Sequence, residues 1–222
     1  GSITEIALTV TAGKEFEAMR DLMKAITSKV DVEIIWDATS KTNSNFSAIS
    51  IDSSGNNANG LTAGVGFLTG TGTVYNSWVK KAGNVIKTCI YIDLTGLHSN
   101  VGANDIIGVN AEAGVAHIGQ ITAAKNGTIF AGNVRVLEAM STGEDDIDLY
   151  AATEGTGVED GLVTDLTETK LLDGNTLAAN EDLALTDLPA ANQYLYLVAG
   201  TAGTGAAVYD GGKLLIELYG TE

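Results

Sequence analysis

From Asp31 to its last residues the chain is a succession of short apolar runs, rich in Val, Ile and Thr and cut apart by glycine- and asparagine-bearing turns. The runs are Val32 to Trp36, Phe46 to Ile51, Thr73 to Val79, Val85 to Leu94, Asp105 to Val109, Val115 to Ala123 and Thr128 to Met140. After them Ile147, Leu149 and Ala151 alternate with Asp148 and Tyr150. Runs of this length and composition suit strands better than helices. Between them Ser53 to Gly60 and Gly70-Thr71-Gly72 consist of residues that tolerate positive φ or bond their own backbone, so both read as loops. Lys125-Asn126-Gly127 predicts a hairpin turn.

The last two runs, Tyr194 to Ala199 and Lys213 to Tyr219, are almost continuously apolar, the pattern of strands covered on both faces. Leu214, Leu215, Ile216 and Leu218 head the predicted core. Leu162 to Leu172 fits a short helix by its leucine spacing and an extended strand by its threonines. About ten or more evenly spaced strands predict an all-β protein, a β-sandwich with the jelly-roll type among its forms. No repeat of roughly 20 to 50 residues points to a propeller or solenoid.

The first residues differ. Ile6, Leu8 and Val10 alternate as in a strand, and then Phe16, Met19, Leu22, Met23 and Ile26 recur at helical spacing, predicting one amphipathic helix from about Lys14 to Ser28. The seam falls near Asp31 to Lys41, giving a strand-helix-strand element over 1–40 and a sandwich over 41–222. Phe16, Met19, Met23 and Ile26 are the candidate contact residues of a docking arm, and packing on the chain's own sandwich explains them equally well.

The charge narrows the partners. Twenty-eight acidic residues against twelve basic ones give −16 over 222 residues, spread along the chain. Such a surface repels nucleic acid and anionic membranes. No apolar run approaches the roughly 18 to 20 residues that span a bilayer. The single cysteine, Cys89, has no partner for an intrachain disulfide and reads as a small buried hydrophobe.

Catalytic patterns are missing. His98 in a loop and His117 in a predicted strand read as structural histidines. The chain has no G-x-S-x-G elbow, no Walker loop and no G-x-G-x-x-G motif, so the expectation is a non-enzyme without a cofactor. Gly70-Thr71-Gly72, Gly155-Thr156-Gly157 and Gly203-Thr204-Gly205 are turn glycines. Glu144, Asp145, Asp146 and Asp148, with Glu159 and Asp160 further on, lack EF-hand spacing and read as a solvated loop before a cation site. Trp36 and Trp78 suit core packing or a subunit interface better than a sugar platform. Asn45-Phe46-Ser47 and Asn126-Gly127-Thr128 match the glycosylation sequon.

The stretches Asp146 to Tyr150, Gly155 to Val158, Leu188-Pro189-Ala190-Ala191-Asn192-Gln193-Tyr194-Leu195-Tyr196-Leu197 and Gly212-Lys213-Leu214-Leu215-Ile216-Glu217-Leu218-Tyr219-Gly220 resemble virion structural proteins of tailed phages, especially of marine and cyanobacterial hosts. The resemblance covers roughly the last 80 residues. It implies a β-sandwich subunit that works by contact: a capsid decoration or cement protein on the outer capsid surface, bound to the major capsid protein and a homo-oligomer with a trimer favoured, or else a tail or other virion structural subunit.

Overall fold

The computed structural model describes residues 4–5, 31–36, 46–52, 60–100, 102–201 and 207–222. The chain divides into two compact units, Gly1–Asn57 and Ala58–Glu222. The division falls after the third strand rather than near Lys41. The predicted helix with Phe16, Met19, Met23 and Ile26 lies outside the described residues, as do Asn45 and Gly203-Thr204-Gly205.

The first unit contains β1 (Thr4–Glu5), β2 (Asp31–Trp36) and β3 (Phe46–Asp52), an antiparallel sheet in the order β1-β3-β2. The runs predicted at Val32 and Phe46 are therefore strands.

The second unit begins with a single helical turn, α1 (Val65–Leu68), and continues with β4 (Val74–Ala82), β5 (Val85–Asp93), β6 (His98–Ser99) and β7 (Gly119–Gln120). A second turn, α2 (Ala123–Asn126), leads into β8 (Thr128–Ser141), β9 (Ile147–Ala152), β10 (Glu168–Leu172), β11 (Asp182–Ala184), β12 (Tyr194–Ala199), β13 (Ala207–Val208) and β14 (Gly211–Thr221). They form two antiparallel sheets, β10-β9-β12-β7 and β11-β8-β14-β5-β4, and a ribbon of β13 with β6.

The period of two in each strand sends alternate residues into one core. Ile90 and Ile92 of β5, Val134 and Val136 of β8, and Leu214, Ile216 and Leu218 of β14 meet Ile147, Leu149 and Ala151 of β9, Leu171 of β10, and Leu195 and Leu197 of β12. The unit is thus an all-β sandwich. The other face of the four-stranded sheet is also covered. Tyr150, Ala152, Tyr196 and Val198 pack under Ile106, Ala116 and Val163 from the loops over 102–118 and 154–166.

These loops are where the sequence expectation needs correction. Asp105 to Val109 and Val115 to Ala123 make only single bridges (Asp105 to Leu162, Ile106 to Val198, Gly108 to His98, Val115 to Val158) and the two-residue β7. Close backbone packing breaks them up: a Cβ at Gly66 would sit 2.0 Å from the Gly114 carbonyl oxygen. Lys125-Asn126-Gly127 is not a hairpin, because β7 and β8 belong to different sheets. Buried Asn126 organises α2 instead, accepting from Thr122 N–H at 2.9 Å and donating to Thr88 Oγ1 at 2.8 Å. Leu162 to Leu172 resolves as a 3₁₀ turn at Val163–Asp165 followed by β10.

Candidate functional site

With one face of the five-stranded sheet in the core, its strand register fixes what the other presents. One row across the strands is Trp78, Cys89, Glu217 and Asn133, and the next is Asn76, Tyr91, Leu215, Arg135 and Asp182. Flanking these, Lys80, Lys87, Tyr219 and Ala131 make the row at one end, and Val74, Asp93, Lys213 and Glu138 the row at the other. The middle rows thus set Trp78, Tyr91 and Leu215 among Asn76, Asn133, Glu217 and the Arg135–Asp182 pair, and the end rows carry lysines and carboxylates. Trp, Tyr and Arg are the residue types enriched at interfaces.

Two further facts single this face out. Eight large hydrophobic residues stand exposed among the described residues, and four of them, Val74, Val85, Phe130 and Leu137, lie on strands of this sheet. Phe130 and Leu137 sit where the β8 register with β14 shifts, and such bulges re-aim side chains. Charge is the second. Residues 58–222 hold seven basic and twenty acidic side chains, leaving this unit thirteen charges negative. The sheet face carries four cations (Lys80, Lys87, Arg135, Lys213) and four anions (Asp93, Glu138, Asp182, Glu217), so the whole net charge lies elsewhere.

Most of the charges on the face are paired. Arg135 Nε lies 2.9 Å from Asp182 Oδ2, and Lys213 bridges Asp93 and Glu138. Lys87 pairs with the nearly buried Glu217 and stands 5.3 Å from the Tyr219 ring centroid. Cys89 is buried, as expected, with Sγ 4.0 Å from Glu217 Oε1. Burial pushes its thiol pKa up, which disfavours the reactive thiolate.

The acidic run is solvated only at Asp145. Glu144, Asp146 and Asp148 are each at most 2% exposed. Asp146 N–H donates to Glu144 Oε1 at 3.0 Å, Tyr209 Oη donates to the Glu144 carbonyl at 2.8 Å, and Gly174 N–H donates to Asp148 Oδ1 at 2.9 Å. Asp146, Asp148 and Asp173 bring carboxylate oxygens within 4.8 Å of one another, a grouping with metal-ligand geometry. Lys170 reaches into it, with Nζ 2.7 Å from Asp148 Oδ2 and 3.7 Å from Asp173 Oδ1. Its ammonium supplies the positive charge that such a group requires. Burial raises the Asp148 pKa against the opposing pull of Lys170 and Gly174. Burial also works against the charged form of Lys170, but the hydrogen bond and charge of Asp148 outweigh it and hold the ammonium protonated.

The histidines also hold loops. His98 Nδ1 lies 2.6 Å from Glu159 Oε1, and Ala111 N–H donates to Glu159 Oε2 at 3.3 Å, tying β6 to the covering loops. Burial, then the nearby Asp160 charge, raises the Asp105 pKa. His117 lies not in a strand but against Tyr194, with ring centroids 4.9 Å apart, and burial lowers its pKa. Tyr196 Oη donates to the Glu154 carbonyl at 2.8 Å and accepts from Gly157 N–H at 3.3 Å, its own pKa pushed up to about 12 by burial. The buried, fully bonded Asn126 makes its sequon inaccessible in the folded chain.

Cys89, Trp78 and Leu215 stand apart in the sequence, and the cross-strand register that groups them is invisible until the strand order is known. Comparison of the chain with protein-family models, with curated proteins and with solved structures finds no match.

Proposed function

We propose that this chain is a non-enzymatic structural protein of a tailed-phage particle. In this reading it is a homo-oligomeric decoration or cement protein on the outer capsid surface, clamping neighbouring major capsid protein subunits. The observation that carries the reading is a sheet face that is neutral in net charge within a strongly acidic unit and bears Trp78, Tyr91, Leu215 and Tyr219 among paired charges, a surface suited to contact. The resemblance to virion proteins supplies the particle, and its residues include all of β12 but Val198 and Ala199, and the middle of β14.

The physics favours an outer address. A chain at −16 opposes packaged DNA. A clamp that touches several shell subunits adds weak contacts as avidity, so separating the subunits also breaks the clamp. The residues Phe16, Met19, Met23 and Ile26 are the proposed docking arm of the N-terminal unit.

The test is addition of the purified chain to capsids that lack it. Binding at fixed stoichiometry with raised resistance to heat or osmotic shock is the expected result, and no binding sinks the proposal. Trp78, Tyr91 and Tyr219 on one face also suit sugar stacking. A flat Trp fluorescence response across a glycan panel removes that second reading.

A further inference from the structure

We infer that the outer face of the five-stranded sheet docks on the same face of a second copy of this chain, as a two-fold, face-to-face pair. The inference rests on the contact reading of that face and names its occupant.

The unit carries thirteen net negative charges, and all of them lie off this face. The rest of the unit's surface taken together presents like charge to a second copy, whereas this face does not. The face is also polarised along its strands. Lys80 and Lys87 stand in the row at one end, and Asp93 and Glu138 flank Lys213 at the other.

A two-fold axis running across the strands sets the lysine row of each copy on the Asp93 and Glu138 row of the other. Lys87 then faces Asp93, Tyr219 faces Lys213, and the rows of Trp78 and Tyr91 cover each other. An axis along the strands would set lysine on lysine, so the charge pattern selects the first arrangement. A partner of one charge sign would suit one end of the face and oppose the other. A second copy satisfies both ends. The exposed Val74 and Val85, on the outer face by register, give such a pair apolar surface to bury. The arrangement closes as a dimer and departs from the three-fold one that the resemblance implies.

The experiment is the solution mass of the full chain by sedimentation equilibrium, with three variants. The expected species is a dimer that weakens as salt rises, since its rim charges are screened. Leu215→Lys, between Tyr91 and Arg135 in the middle of the face, is expected to weaken pairing roughly 30-fold or more. Lys80→Glu places a carboxylate near Asp93 of the other copy, and Val74→Lys places a cation opposite Lys80. Each is expected to weaken pairing about tenfold alone, and an equimolar mixture of the two to recover most of it as a heterodimer.

Both end positions are exposed, so these two variants decide the matter even if Leu215→Lys fails to fold. A monomer, a trimer, or a dimer indifferent to all three variants overturns the inference. A monomeric chain that still binds capsids, and loses that binding in Leu215→Lys, overturns the second-copy occupant and leaves the contact reading standing.

Discussion

β12 and β14 read almost alike in sequence, Tyr-Leu-Tyr-Leu-Val-Ala against Lys-Leu-Leu-Ile-Glu-Leu-Tyr, yet the sheets that hold them are finished differently. In β12 both sets of alternate residues are covered, Leu195 and Leu197 by the facing sheet and Tyr196 and Val198 by the loop layer. In β14 only Leu214, Ile216 and Leu218 reach the core. Lys213, Leu215 and Tyr219 are half-buried on the outer side, beside the nearly buried Glu217. The lesson is that a continuous apolar run does not by itself mean two covered faces. The signal in β14 is its Lys213 and Glu217, which share the parity of Leu215. A sheet closed on both sides stabilises, and a sheet open on one side has a surface with which to bind.

The contrast can be broken within one strand. Ile216→Ala removes a fully buried side chain from between the sheets and is expected to cost about 3–4 kcal/mol in urea unfolding, whereas Leu215→Ala next to it should cost under about 1 kcal/mol. Equal losses would mean that the outer face is core after all.

The next effect sharpens the account of the closed sheet. Lys170→Met leaves Asp148 buried without its cation, and with Lys170 about a third exposed the expected cost is about 2–3 kcal/mol. The double variant Lys170→Met with Asp148→Leu should recover most of that in the same assay. If the single variant is neutral, the pair holds nothing together.

Tyr196→Phe deletes the hydroxyl shared by the Glu154 carbonyl and Gly157 N–H, for an expected loss of about 1–1.5 kcal/mol. Tyr219→Phe, on the open face, should change thermal stability by no more than about 0.5 kcal/mol.

The smallest effect is a pH dependence. Burial holds the His117 pKa below its ordinary 6.5, so the unfolded chain takes up that proton first as pH falls. The stability that neutral His117 contributes is fully present above pH 6.5 and is lost as pH drops from there toward its folded pKa. His117→Gln should flatten that part of the stability-against-pH curve. An unchanged slope would show that the ring is not desolvated.

Much of the sandwich was legible because period-two patterning is local: β5, β8, β9 and β12 lie where alternation and β-branched residues put them. The covering loops were not legible, since Asp105 to Val109 and Val115 to Ala123 are apolar mainly for packing, Ile106 and Ala116 over Tyr150 and Tyr196 and Ile107, Ile118 and Ile121 in the main core. The acidic run misled for a similar reason. Asp146 and Asp148 look like solvated residues until Lys170, on the neighbouring strand β10, supplies the counter-charge. The candidate face was the least legible, being a product of register: Trp78, Tyr91, Leu215 and Tyr219 come from three strands with β14 between β5 and β8.

The central claim, that this protein works through the open face of its five-stranded sheet, is tested most directly by residue-resolved covalent labelling of the assembled particle or oligomer against the dissociated chain. The account predicts strong protection of Trp78, Tyr91, Tyr219 and Lys80 in the assembly, with Glu154, Glu168 and Asp173 on the side of the closed sheet unchanged. Equal labelling of Trp78 and Tyr91 in both states, or protection confined to the closed-sheet side, would contradict it.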